Sequence, residues 1–86
     1  MAYTIKWRPK ALAELRKLPN IAAKRIVQKI DSAKNDPSHF LDRLVGDSGY
    51  KIRAGDYRAI VDIIEEEKAI AVRIVGHRKN IYQRHL

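Results

Sequence analysis

Residues 2–7 alternate: Tyr3, Ile5 and Trp7 fall on one side, Thr4 and Lys6 on the other, the period-two pattern of a half-buried strand. The period then lengthens. Pro9 suits the first turn of a helix, and Ala11, Leu12, Leu15 and Leu18 keep helical spacing, with Glu14, Arg16 and Lys17 outside the stripe. Pro19 breaks that run, and Asn20 is suited to cap a second helix. Its predicted buried face is Ala22, Ala23, Ile26, Val27, Ile30 and Ala33, which leaves Lys24, Arg25, Gln28, Lys29 and Lys34 outward. Asn35-Asp36-Pro37 ends the helix. Residues 38–49 read as a loop with a short extended piece near Leu44, closing on the turn-like GDSG.

The remainder alternates again. A hairpin turning at Gly55-Asp56 sends Tyr50, Ile52, Ala54 and Tyr57 to one side and Lys51, Arg53 and Arg58 to the other. Tyr57, Ala59, Val61 and Ile63 form an apolar parity, and Arg58, Ile60, Asp62 and Ile64 a mixed one. After the acidic turn EEEK at 65–68, Ile70, Val72 and Ile74 alternate with Ala69, Ala71 and Arg73. A four-residue turn there pairs Ile63 with Ile70, Val61 with Val72 and Ala59 with Ile74, so the apolar sets meet on one face. The expected fold class is α+β: a small antiparallel sheet in the order β-α-α-β-β-β with a short C-terminal segment. Two helices pack on one face and the other is left open.

Length and composition bound this reading. Eighty-six residues with 45% apolar content and no internal repeat predict a single domain over 1–86. The absence of cysteine excludes a disulfide frame and a thiolate metal site. The opening MAYTIKWRPK lacks the apolar run of a signal peptide, and no stretch approaches the roughly 20 apolar residues of a membrane span. The expectation is a cytoplasmic protein with no membrane partner.

Charge changes the picture. A net charge of +8 and a pI near 10.1 point to an anionic partner, nucleic acid first. The hairpin register sets Arg53 directly across from Arg58, and like charges so placed destabilise a sheet by a few tenths to about 1 kcal/mol. A phosphate lying between them would relieve that repulsion. Past the last strand comes GHRKNIYQRHL, and from Arg73 to Leu86 there are four Lys/Arg and no carboxylate. The open face therefore reads as a basic cradle, with Tyr82 as a ring that can stack on a base. The bland alternative is a solvated strand face, and Arg73, beside Ile60, suits structure or docking better than chemistry. His39 follows Pro37-Ser38 in a loop, and His77 and His85 are eight apart with no acidic neighbour, so neither a metal site nor a cofactor is expected. Gly46, Gly49, Gly55 and Gly76 are isolated turn glycines, not a phosphate loop.

These stretches together resemble the RelE branch of the RelE/ParE toxin superfamily. The likeness runs from MAYTIKW through RPKALAELRKL to LVGDSGYKIRAGDYRAIVDI and VGHRKNIYQR. The order YKIR, then GDYR, then a strand and GHR with a following Tyr carries most of it. The resemblance implies a type II toxin that cuts messenger RNA in the ribosomal A site and is held inactive by a cognate RelB-like antitoxin wrapped around it. Carried over by position, the catalytic set is Lys51, Arg53, Arg58, Arg78 and Tyr82, with Arg53 standing where bacterial members carry lysine. His77, Lys79, Arg73 and Arg84 would contact RNA. The sister ParE branch, similar in architecture, poisons DNA gyrase without cutting RNA; a plain RNA- or ribosome-binding module is a further alternative.

The chemistry fits RNA cleaving itself: the 2′-hydroxyl attacks the adjacent phosphate while the protein orients the attack, stabilises the phosphorane and moves protons. Arg53 and Arg58 suit the phosphate, because guanidinium forks hold its oxygens and stay charged. Lys51, His77 and Tyr82 are left for protons, with Arg78 as a clamp or leaving-group stabiliser. No carboxylate is expected in the site. So sparse a set implies a substrate that arrives already bent, as on a ribosome.

Overall fold

A computed structural model describes residues 2–46 and 48–85, with side chains as far as residue 81. Strand β1 (Thr4–Trp7) leads into helices α1 (Pro9–Arg16), α2 (Asn20–Ala33) and the single turn α3 (Pro37–Phe40). Then come β2 (Asp42–Arg43), β3 (Tyr50–Ala54), β4 (Tyr57–Ile64), a 3-10 turn over Glu65–Glu67, β5 (Ala69–His77) and α4 (Arg78–His85). The fold is α+β, as the pattern predicts. Where a loop with a short extended piece near Leu44 was expected, Pro37 starts the single turn α3, and the extended piece is Asp42–Arg43, a fifth strand at the edge. Pro9 does open α1. Asn20 is the first residue of α2 but makes no side-chain cap.

The sheet order is β1-β5-β4-β3-β2. Neighbours from β2 to β5 run antiparallel, but β1 lies parallel to β5, with Thr4 beside Ala69 and Trp7 beside Val72. The sheet is therefore mixed, not wholly antiparallel. Alternation reveals which face a strand buries; it carries no information on which neighbour the strand takes or in which direction.

The principal core lies between the sheet and the two long helices. Ala11 of α1 and Ile26, Ile30 and Ala33 of α2 pack on Ile52, Ala59, Val61, Ile70, Val72 and Val75. Tyr3, Ile5 and Trp7 close it along β1. Each fully buried isoleucine or valine contributes about 1.5–3 kcal/mol of transfer free energy. Two predicted faces are corrected. Val27 is exposed instead of buried, and Glu14, placed outside the α1 stripe, is buried. Its Oε1 accepts the backbone N–H of Val75 at 3.1 Å, so a carboxylate takes the place of a missing ladder bond.

Strand β1 pairs with β5 only as far as Val72, so Val75 lies beyond the end of that ladder. Ile63 faces Ile70 and Val61 faces Val72 as expected, but Ile60 then faces Ile74 and Ala59 faces Val75. Arg73 is the extra residue of a β-bulge, so Arg73 and Ile74 share one side and the expected Ala59–Ile74 pair shifts by one. The shift carries Ile60 and Ile74 together on the face away from α1 and α2. There they meet Ile81 of α4, with Leu44 at the margin, in a second small core. The face predicted to be open is thus partly roofed by α4, and Ile60, expected on its surface, is fully buried.

Candidate nucleic-acid interface

The β3–β4 hairpin turns through two residues. Gly55 has φ 64°, which a side chain disfavours and a type II′ turn requires at its first position. This turn fixes the register that sets Arg53 across from Arg58 and Lys51 across from Ile60. Lys51, Arg53 and Arg58 therefore share one face, as the sequence predicts.

Their environments differ. Arg53 is exposed, Lys51 is half-buried, and Arg58 is only 6% exposed. The Arg58 guanidinium bends back to the turn, where Nη1 donates to the carbonyl oxygens of Gly55 at 2.7 Å and Tyr57 at 2.9 Å. On its other side the partner in β5 is Gly76, which has no side chain to obstruct it. The like-charge pair is thus eased within the protein itself, because one member donates to carbonyl oxygens.

Arg78 joins this group through the turn. As the first residue of α4, it donates its backbone N–H to the Asp56 carbonyl at 2.8 Å, and its Nε lies 3.8 Å from Asp56 Oδ1. Four of the five proposed catalytic residues therefore lie on or against one hairpin. The side chain of Tyr82, the fifth, and that of Arg84 lie outside the described residues. The expectation of a carboxylate-free site is corrected, since Asp56 meets Arg78 and Asp42 stands across the ladder from Lys51. Asp56 was legible at the turn, but its pairing with Arg78 depends on how α4 docks, and the place of Asp42 depends on β2 pairing.

The remaining candidates are dispersed. Arg73, at the bulge, forms an ion pair with Asp62, to which it donates from Nε at 3.2 Å and also from Nη2. His77 stands beside Tyr57, their rings edge-to-face at 5.3 Å, on the face opposite Arg58. Its Nδ1 accepts the Lys79 backbone N–H at 3.1 Å, which leaves the proton of the neutral ring on Nε2. Lys79 is exposed on the first turn of α4. Among the described residues, no group of His, Asp and Glu side chains could hold a metal ion. The perturbed titrations lie at the far end of the sheet, where Tyr3 donates to Glu65 beside Lys68.

This helix-backed sheet superposes on solved structures of RelE toxins. A chain in the Mycobacterium tuberculosis RelBE2 toxin–antitoxin complex superposes with a TM-score of 0.82 at 23% identity, over 91% of this chain and 100% of that one. One in the intact E. coli RelBE complex gives 0.76 at 28% identity over 88% and 96%. One in the archaeal RelE–RelB complex from Pyrococcus horikoshii gives 0.72 at 26% over 91% and 97%. The sequence itself matches the family of ParE toxins of type II toxin–antitoxin systems over residues 5–82, and the chain belongs to that family. It is a toxin of a type II system with a RelE-like fold, within the RelE/ParE superfamily. No curated protein sequence matches it. Among the described residues, no helix is long and apolar enough to cross a membrane.

Proposed function

We propose that this toxin is a ribosome-dependent endoribonuclease that cuts messenger RNA in the A site and so inhibits translation in the cytoplasm. One observation carries the reading: Lys51, Arg53 and Arg58 share a hairpin face to whose turn Arg78 is fastened. Such a group suits a phosphodiester in reaction. The 2′-oxygen attacks phosphorus, the bond to the 5′-oxygen breaks, and a 2′,3′-cyclic phosphate and a 5′-hydroxyl result. The proton lost by the 2′-hydroxyl is balanced by one gained at the leaving oxygen. Arg53 and Arg78, both exposed, bind the non-bridging oxygens and hold the negative charge that develops there. Arg58, turned toward the carbonyls of the turn, holds the hairpin and adds its charge beneath the phosphate. Lys51 is the proton donor within this group, and Tyr82, one turn along α4 from Arg78, is the second candidate for that work. Arg73, His77, Lys79 and Arg84 serve binding outside the cleavage step.

A RelB-like antitoxin is the expected partner, since the RelE toxins of E. coli and Pyrococcus horikoshii occur in complexes with RelB. The deciding experiment maps cuts on a ribosome-bound message. Wild type should cut within the A-site codon and Arg78→Ala should lose cutting while still binding ribosomes. The family's ParE description favours a second reading, gyrase poisoning. Loss of DNA supercoiling with translation intact would establish that one and overturn the nuclease.

A further inference from the structure

Among the described residues, ion pairs gather at one end of the sheet, whereas at the other Arg78 meets Asp56 while Arg25 and Arg53 form none. Around the β4–β5 turn, Lys6 pairs with Glu67, Lys68 with Glu65, and Arg8 and Arg73 with Asp62. The β3–β4 turn lies at the opposite end of β4, roughly 25 Å away at about 3.4 Å per residue. Here α2 comes alongside, and a Cβ on Gly55 would stand 3.7 Å from Arg25 Nη1. Two adjoining clefts open at this corner. Arg25 and Lys29 line one with Ser32 and Gly55; Lys29 and Arg53 line the other with His39 and Asp42. Arg25, Lys29 and Arg53 are all exposed. Neither Arg25 nor Arg53 forms an ion pair with a described residue, and the Lys29 ammonium rests 5.6 Å over the Phe40 ring. Among the described residues, Asp42 is the one carboxylate lining either cleft.

Helix stability does not account for this arrangement. Arg25 and Lys29 stand four residues apart on one face of α2, a like-charge spacing that disfavours a helix. Arg53 belongs both to the second of these clefts, which shares Lys29 and Gly55 with the first, and to the hairpin face of the candidate site, so the two basic surfaces are continuous around the turn. We infer that Arg25 and Lys29, with Arg53, form a second phosphate-binding surface that carries an RNA backbone from the candidate site around the hairpin tip onto α2. The inference rests on the nuclease reading for the identity of its polymer. An acidic protein helix would need apolar anchors as well. The exposed apolar side chains of α2, Ile21 and Val27, line an adjoining groove with Lys24 and Gln28, and neither lines the two basic clefts. The phosphates come either from the message or from ribosomal RNA, and both present the same diester.

The test uses the full chain and the pair Arg25→Gln/Lys29→Gln, which leaves Arg53 and the hairpin untouched. Binding is measured against programmed ribosomes and against a free oligoribonucleotide, across a series of salt concentrations. Ribosome affinity should fall about tenfold, and the slope of log affinity on log salt should drop by about 1.5, two phosphate contacts' worth. Cutting at saturating protein should not change, and Arg25→Lys/Lys29→Arg should restore both binding and slope. A matching loss on the free oligonucleotide assigns the phosphates to the message; a loss on ribosomes alone assigns them to ribosomal RNA. Unchanged affinity and slope on both targets would overturn the surface, as would a loss confined to binding of poly-glutamate. Wild-type protein that binds ribosomes but does not cut their message would sink the nuclease reading instead, and the binding comparison would still decide the surface.

Discussion

Arg78 is fastened to Asp56 twice, by its backbone N–H at 2.8 Å from the carbonyl oxygen and by its Nε at 3.8 Å from Oδ1. The two contacts do different jobs. The first sets the start of α4 on the hairpin turn and survives any change of side chain. The second holds the guanidinium against a carboxylate that competes with phosphate. Both side chains are more than half exposed, so the ion pair is worth well under about 1 kcal/mol to the fold. Asp56→Asn should therefore leave the unfolding midpoint nearly unchanged while raising affinity for a short oligoribonucleotide about two- to fivefold. An affinity that stays level or falls would show that Asp56 does not compete for Arg78.

Arg53 and Arg58, facing each other across the ladder, should respond oppositely to truncation. Arg58 is buried and donates to two carbonyl oxygens of the turn, so Arg58→Ala removes packing and leaves those oxygens without their donor. The expected loss is about 1–3 kcal/mol in urea unfolding. Arg53→Ala removes an exposed charge and the repulsion with it, and should be neutral or stabilising by a few tenths of a kcal/mol. Equal effects from the two variants would mean that the turn contacts of Arg58 carry no weight. The comparison also separates activity from folding, because only Arg53→Ala tests phosphate contact on an intact hairpin.

Much of this hairpin was legible in the sequence, and the reason is local. Gly55-Asp56 fixes the turn, the turn fixes the register, and period-two alternation assigns each side chain to a face. What stayed hidden depends on distant segments. Arg73 continues a plausible alternation, and nothing in its own neighbourhood shows that it is the extra residue of a bulge. The direction of β1 is likewise unreadable until β5 is found to offer its edge. Helix α4 carries one buried apolar anchor among the described residues, Ile81, in an otherwise polar sequence, so periodicity could not announce that it roofs Ile60 and Ile74. Asp42 became visible beside the site only with the pairing of β2, and Asp56, legible at the turn, gained its partner Arg78 only with the docking of α4.

The end of the β1 ladder supplies its own prediction. Glu14 of α1 reaches across the core to accept the Val75 N–H from a buried position, 61 residues away in the chain. Glu14→Ala would leave that N–H buried without its acceptor, at about 1–3 kcal/mol. Glu14→Gln keeps an acceptor oxygen of the same reach and should lose less than half as much. Urea unfolding of the two variants decides it, and equal losses would assign the role of Glu14 to its charge instead of to this bond.

At the far end of the sheet, the Tyr3 hydroxyl donates to Glu65 Oε1 at 2.9 Å and Oε2 at 3.0 Å. This bond, with the Lys68 ammonium as a smaller cause, holds the Glu65 carboxyl below its ordinary value of 4.5. The same bond is the largest cause lifting the Tyr3 hydroxyl above 10.0, and the bond with Glu65 lifts Lys68 above 10.5. A carboxylate lowered by folding contributes stability that is fully present above its unfolded value and is lost as pH falls through the folded one. The two raised groups contribute stability that is present below their unfolded values and lost as pH rises through the folded ones. This cluster should therefore leave stability flat between about pH 5.5 and 9, with a shallow decline on either side. Tyr3→Phe removes the shared bond, so the Glu65 carboxyl should titrate closer to 4.5 and the acid-side decline should shrink. Carboxyl carbon shifts followed by NMR from pH 6 to pH 2 measure the first effect, and urea unfolding at pH 6 and pH 3 the second. A Glu65 titration that does not move in Tyr3→Phe would assign its shift to Lys68 alone.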